Sequence, residues 1–154
     1  MAYLVSFVTV GILWIEHHGT MSAMRQVNRR FLERTLLFLL FVSMIPWPTA
    51  LAAEYADRGS QARVAAILYA GTMMLMGLSF WSGWRYLAEH LEMVAKPARG
   101  AFAAGARRAM LGGLVYLAAI VVAMTSSTAS FVIDGLVAVY FAESWPTTSR
   151  LFLA

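Results

Sequence analysis

The stretch TLLFLLFVSMIPWPTALAA, residues 35–53, contains no charged side chain. A helix of this length extends about 28 Å, close to the roughly 30 Å hydrocarbon core of a bilayer. Pro46 and Pro48 would break a helix in water, but a membrane span tolerates such a break when neighbouring groups satisfy the freed carbonyls. Basic residues precede the stretch and acidic residues follow it, which predicts a span whose first end is cytoplasmic.

The composition of the whole chain supports a membrane protein. Of the 154 residues, 60% are hydrophobic and only 13% are charged, whereas a soluble domain carries about 25% charged residues. The net charge of +4 does not indicate nucleic-acid binding, because the basic residues lie between apolar runs, as in cytoplasmic loops. There is no cysteine, phosphate-binding loop, serine elbow or HExxH motif, so no enzyme activity and no metal site is predicted. A single transmembrane domain over residues 1–154 is expected.

Five apolar runs predict an all-α integral membrane protein with about five transmembrane helices. The polar patch at 125–130 is interpreted as a turn, because one helix over 109–142 would extend about 51 Å, too long for one span. The Ala/Gly-rich segment at 97–106 is expected to be a loose link between spans. Gly71 and Gly77 are expected to allow close helix packing. The predicted spans are about 2–18, 35–53, 64–84, 109–125 and 130–142.

The basic residues predict the orientation of these spans. Of the 12 Lys and Arg residues, all except Arg58 and Arg63 lie in alternate connectors or the C-terminal tail. By the positive-inside rule the connectors at 25–34 and 86–108 are cytoplasmic, as is the C-terminus, and the N-terminus lies outside. The N-terminus would then lie outside and begin directly on apolar residues. We expect this arrangement in a chain that has lost a preceding helix.

Trp14, His17 and His18 form the first candidate site. Adjacent residues of a helix project about 100° apart, so the two histidines cannot both bind one metal ion. One histidine can face the helix bundle while the other meets water at the cytoplasmic surface. The cluster is then either an interfacial polar cap or a structural support within the bundle.

Pro46, Pro48 and Thr49 form the second candidate site, a helix break. Such a break frees backbone carbonyls that can line a cavity or bind an ion. The alternative is a packing kink whose carbonyls are satisfied by Thr49. Asp134, the intramembrane acid, is the third candidate site, since an ionisable group inside a span indicates a function. Alternatively, it reaches the outer membrane interface.

The motifs YLVSFVTVGILWIEHH (3–18) and TLLFLLFVSMIPWPTALAAEY (35–55) resemble the bacterial form of the transmembrane protein 175 family. That family has a second helix of the type LLSFxxxGxxWxxHH and a third helix ending in LLPFPTALxxEY. The likeness covers nearly the whole chain and is most specific over the first 55 residues. The matching positions are Trp14, His17, His18, Pro46, Pro48, Thr49, Ala50 and Glu54.

The resemblance implies a six-helix subunit of a homotetrameric potassium leak channel in the bacterial inner membrane. In the family, the first helix lines the pore and carries an Arg-xxx-Phe-Ser-Asp motif. Trp14 and the histidines would hold that motif in place, with potassium as the permeant ion and no cofactor. This sequence begins at the family's second helix and contains no Phe-Ser-Asp. The expectation is therefore the six-helix architecture minus the first helix, a shortened family member that does not conduct alone.

Two alternatives from other classes are open. The first is a small haem-binding or electron-transfer membrane protein, in which His18 and His90 would be axial ligands. The second is a non-conducting structural subunit that pairs with another membrane protein.

Overall fold

The computed structural model of the chain describes residues 2–95 and 99–152, and side chains at 4, 6–95 and 100–140. Within these residues the secondary structure is helical apart from one isolated β-bridge, so the all-α prediction is confirmed. The helices are α1 (Ala2–Ser22), α2 (Arg29–Met44), α3 (Pro46–Tyr55), α4 (Ser60–Glu89), a 3-10 turn (Leu91–Met93), α5 (Arg99–Ala123) and α6 (Ser127–Phe152).

Three described helical segments are long and apolar enough to cross a membrane. They are Arg29–Tyr55, which joins α2 and α3, Ser60–Glu89 and Gly100–Ala123; Ser127–Tyr140 is a shorter apolar segment. Each of the five predicted spans falls on one of these segments or on α1. The bounds of the spans in a bilayer stay a prediction.

Two expectations about connections are corrected. Residues 99–106 of the expected loose link are helical, because α5 begins at Arg99, whereas residues 97 and 98 lie outside the described residues. The alanines of this segment favour a helix, and Phe102 and Ala106 are buried against α4, which offsets the cost of its glycines. The turn before α6 is also narrower than the polar patch at 125–130. It occupies 124–126, and the Ser126 hydroxyl accepts a hydrogen bond from the Ala129 N–H at 3.2 Å.

The helices pack around two apolar clusters. The connector cluster contains buried residues of the two connectors together with the aromatic ends of α2, α4 and α5: Ala23, Phe31, Trp84, Tyr86, Leu87, Met93, Val94, Phe102 and Ala106. The helix-break cluster lies around Ile45 and joins α2, α4, α5 and α6: Phe38, Val42, Ile45, Ala70, Met73, Tyr116, Ala119 and Val137. The bundle therefore has a connector end and an opposite end.

The two basic connectors pair with each other at the connector end. Met24 and Val94 form an antiparallel bridge, in which the Arg25 N–H donates to the Met93 carbonyl at 2.8 Å. The Ala95 N–H donates in turn to the Ala23 carbonyl at 3.0 Å. These bonds hold the two connectors on the same end of the bundle, as the charge pattern requires.

Candidate functional site

The two adjacent histidines of α1 point in different directions, as their helical spacing requires. His18 stacks on Trp14 one turn earlier, with ring centroids 5.4 Å apart and an interplanar angle of 12°. Trp14 is 62% exposed, so the stacked pair lies on the outer surface of this helix bundle. His17 instead faces inward and contacts the Phe38 ring at a centroid distance of 6.0 Å.

His17 begins a continuous series of aromatic contacts across the bundle. Phe38 of α2 contacts Phe80 of α4 at 5.1 Å, and Phe80 contacts Trp84 at 4.8 Å between ring centroids. Trp84 then meets Phe102 of α5 edge-to-face at 5.6 Å. Such pairs add to the packing energy beyond their buried area. The inward histidine is therefore part of the packing that joins α1, α2, α4 and α5.

A small cavity lies beside His17. About 20 Å³ of it is open to the centre of a water molecule, which is room for about one water and too little for a hydrated ion. Its polar lining comes from side chains of three helices, and it includes Trp84, whose indole N–H has no partner among the described residues. The polar and aromatic lining residues are His17, Thr20, Arg34, Thr35, Ser79 and Trp84.

The helix break between α2 and α3 is satisfied locally. Pro46 lacks the N–H that would reach the Val42 carbonyl, and the Ile45 N–H donates to that carbonyl instead, at 3.2 Å. The Thr49 hydroxyl donates to the Ile45 carbonyl at 2.8 Å, and Pro48 is fully buried. This geometry matches the packing alternative; an ion-binding role for the break stays a prediction.

Asp134 lies inside the bundle and not on its surface. Whether it reaches the level of the outer membrane interface stays a prediction. Its side chain is only 3% exposed, and neither carboxylate oxygen has a hydrogen-bond partner among the described residues. The carboxylate interacts electrostatically with the phenols of Tyr69 in α4 and Tyr116 in α5. The structure therefore brings together an acid and two tyrosines that lie far apart in the sequence.

At the connector end, the structure also shows a group of polar contacts around Tyr86 that the sequence did not predict. Asn28 caps α2 by accepting the Phe31 N–H at 2.9 Å, and its amide donates to the Tyr86 hydroxyl at 2.8 Å. Arg34 lies over the Tyr86 ring at 4.4 Å, and His90 stacks on the same ring at 4.0 Å. An Asn directly before an arginine-rich helix start was the available signal, since Asn is a preferred N-cap.

His18 and His90 are the two residues of the haem alternative. His18 stacks on Trp14 of α1, and His90, which directly follows α4, stacks on Tyr86. Among the residues with described positions, no group of three His, Cys, Asp or Glu side chains is placed to hold a metal ion.

Comparison with known proteins identifies the family. The sequence profile of the family described as "Endosomal/lysosomal potassium channel TMEM175" matches residues 1–46. A potassium channel of Streptomyces collinus is 37% identical over 142 residues, which cover 91% of this chain and 68% of that protein. A potassium channel of Chamaesiphon minutus is 32% identical over 143 residues, with 92% and 70% covered.

A solved structure agrees with these sequence matches. The crystal structure of a lysosomal potassium-selective channel TMEM175 homolog from Chamaesiphon minutus superposes with a TM-score of 0.77. The sequence identity is 30%, and the match covers 92% of this chain and 70% of that one. The haem alternative finds no support among these relatives, which are channels rather than enzymes. This chain is a membrane protein and a member of the TMEM175 family of potassium channels.

Proposed function

We propose that this chain is a subunit of a potassium-selective channel of the bacterial inner membrane and that it acts as a homotetramer. The observation that carries the proposal is the match over 92% of the chain to a potassium-selective channel, in both sequence and backbone. The cavity that His17 and Trp84 line inside the bundle is too small to pass a hydrated ion. The ion path is therefore expected between subunits and not through one bundle.

The Trp14–His18 stack is the part of the chain best placed to support a pore helix. Both rings lie on the exposed side of α1, and the neighbouring Phe7 and Ile15 are exposed as well. The family resemblance implies that this pair holds a helix with the Phe-Ser-Asp motif. A hydrogen bond from an imidazole to that motif would be strong, because water is scarce at such a contact.

Potassium efflux from liposomes tests the proposal. The 154-residue chain alone is expected to retain the ion, whereas the chain extended by an N-terminal helix with the Arg-xxx-Phe-Ser-Asp motif is expected to release potassium faster than sodium. The control is the same added helix with the Ser and Asp of the motif replaced by Ala. Efflux through the 154-residue chain alone would move the path to these helices themselves, with the Pro46–Thr49 break as the first candidate. Equal potassium and sodium rates through the extended chain would contradict potassium selectivity.

Single cysteines test the proposed orientation, since the chain has no cysteine of its own. Ser22 and Ser60 are both exposed and lie at opposite ends of the bundle. A membrane-impermeant thiol reagent on intact cells is expected to label Ser60→Cys, and to label Ser22→Cys only after the membrane is permeabilised. The cysteine-free parent gives the background. Labelling of Ser22→Cys from outside would reverse the orientation.

A further inference from the structure

Asp134 lies at about the same depth along the bundle as two tyrosines, Tyr69 and Tyr116. It lies about 10 Å along α6 from Ser127, at the end opposite the connectors. Tyr116 lies about 10 Å before the end of α5, and Tyr69 about 14 Å after the start of α4. The electrostatic interactions of Asp134 with both phenols agree with this shared depth. Three helices therefore converge on the carboxyl group.

No described cation neutralises Asp134. The two ion pairs of the described residues are Arg29–Glu33 and Arg85–Glu89, both exposed. Among the helices packed against α6, the titratable residue that interacts with Asp134 is Tyr69 in α4 and Tyr116 in α5. The described ionisable residues of α1 are at 16–18, in its second half, where His17 contacts Phe38. Asp134 thus has only phenols as described titratable neighbours.

Space limits what can compensate a charge at this position. Both carboxylate oxygens have almost no surface that a sphere the size of water can touch, so neither a water nor a hydrated metal ion fits beside them. An unpaired carboxylate in such surroundings costs far more free energy than a neutral acid. A neutral carboxylic acid carries no charge and therefore needs no counter-ion in these surroundings.

From this geometry we propose that Asp134 is a proton-binding site, held as a neutral carboxylic acid between α4, α5 and α6 at neutral pH. The proton leaves when these helices separate enough to admit water to the carboxyl group. The site does not depend on potassium conduction, because Asp134 is enclosed within a single bundle. Its test is therefore independent of the flux assay.

The sequence provides a direct test, because the chain has only two aspartates, Asp57 and Asp134. Protein labelled with carbon-13 at the aspartate side-chain carboxyl, in lipid vesicles, gives two carboxyl resonances in solid-state NMR. Asp57, which is exposed in the α3–α4 turn, is expected to show the carboxylate shift at neutral pH. Asp134 is expected to show the shift of the protonated acid, and Asp57→Asn assigns the two signals. Two carboxylate shifts at neutral pH would overturn the proposal.

Thermal unfolding gives a second readout. If the folded state holds a proton that the unfolded state releases, stability falls as pH rises above about 4, the pKa of an aspartate in an unfolded chain, until the folded state also releases the proton. Asp134→Asn keeps the shape of the neutral acid and cannot titrate, so its unfolding temperature is expected to fall less over the same pH range. Asp57→Asn is the matched control and should follow the parent. Identical pH dependence of the parent and Asp134→Asn would count against a bound proton.

Discussion

Replacing Gly105 with alanine is expected to destabilise the bundle by about 3 kcal/mol, more than most single methyl additions. A Cβ at this position would lie 1.4 Å and 1.7 Å from two carbons of the Trp84 ring, well inside van der Waals contact. Trp84 cannot yield easily, because it is 5% exposed and packed between Phe80 and Phe102. In an unconstrained helix, glycine to alanine would stabilise by roughly 1 kcal/mol, so the steric overlap decides the sign.

Two further variants separate this overlap from a general effect of helix propensity. Gly113→Ala is the matched control in α5, since its Cβ would meet Leu78 at an ordinary 3.6 Å. It should leave stability unchanged or raise it slightly. Trp84→Phe should partly restore Gly105→Ala, because the smaller ring makes room, and a double-mutant cycle measures this coupling. Thermal unfolding of the purified protein in detergent is the measurement. A Gly105→Ala protein as stable as its parent would show that α4 and α5 do not pack this closely.

Removing the Trp14–His18 stack is expected to reduce potassium efflux at least about tenfold in the chain extended by the Phe-Ser-Asp helix. A tenfold effect corresponds to about 1.4 kcal/mol, which is within the range of one aromatic pair and its hydrogen bonds. Because both side chains lie on the outside of the bundle, Trp14→Ala with His18→Ala should leave folding nearly intact. Liposome efflux, normalised to the amount of folded protein, measures the loss.

The matched control for this pair is Trp47→Ala. Trp47 is also an exposed tryptophan, but it lies on α3 beside the helix break. Its removal should change efflux less than about twofold, because a lone exposed aromatic ring contributes little. His17→Ala should lower stability as well as efflux, since its ring packs on Phe38. Unchanged efflux after loss of the Trp14–His18 stack would mean that the pore helix is held elsewhere.

The glycines show how far helix packing could be predicted. Gly71 and Gly77 are expected to allow close approach, yet a Cβ on either would meet no atom within 4 Å among the described residues of this chain. The close approach is at Gly105, in a segment interpreted as a loose link. A glycine in a sequence shows that close approach is possible, but only the rotation of two neighbouring helices shows where it happens.

The sequence by itself determined that the chain lies in a membrane, that it is all helical, and approximately where its helices lie. Transfer into a bilayer is decided residue by residue, and a charge-free stretch such as 35–53 must satisfy its own backbone hydrogen bonds as a helix. The basic connectors likewise predicted which ends of the helices lie together. These are local properties of the chain, and local properties can be read from a sequence.

Only the tertiary structure decided which way each side chain points. Spacing alone required His17 and His18 to diverge, but it could not say that His17 packs inward and His18 joins Trp14 outside. The sequence also could not say that Asp134 faces the inside of the bundle, where α6 packs that face against α4 and α5. The physical reason is that the rotation of a helix about its axis depends on the side chains of its neighbours, which the hydropathy of its own residues does not contain.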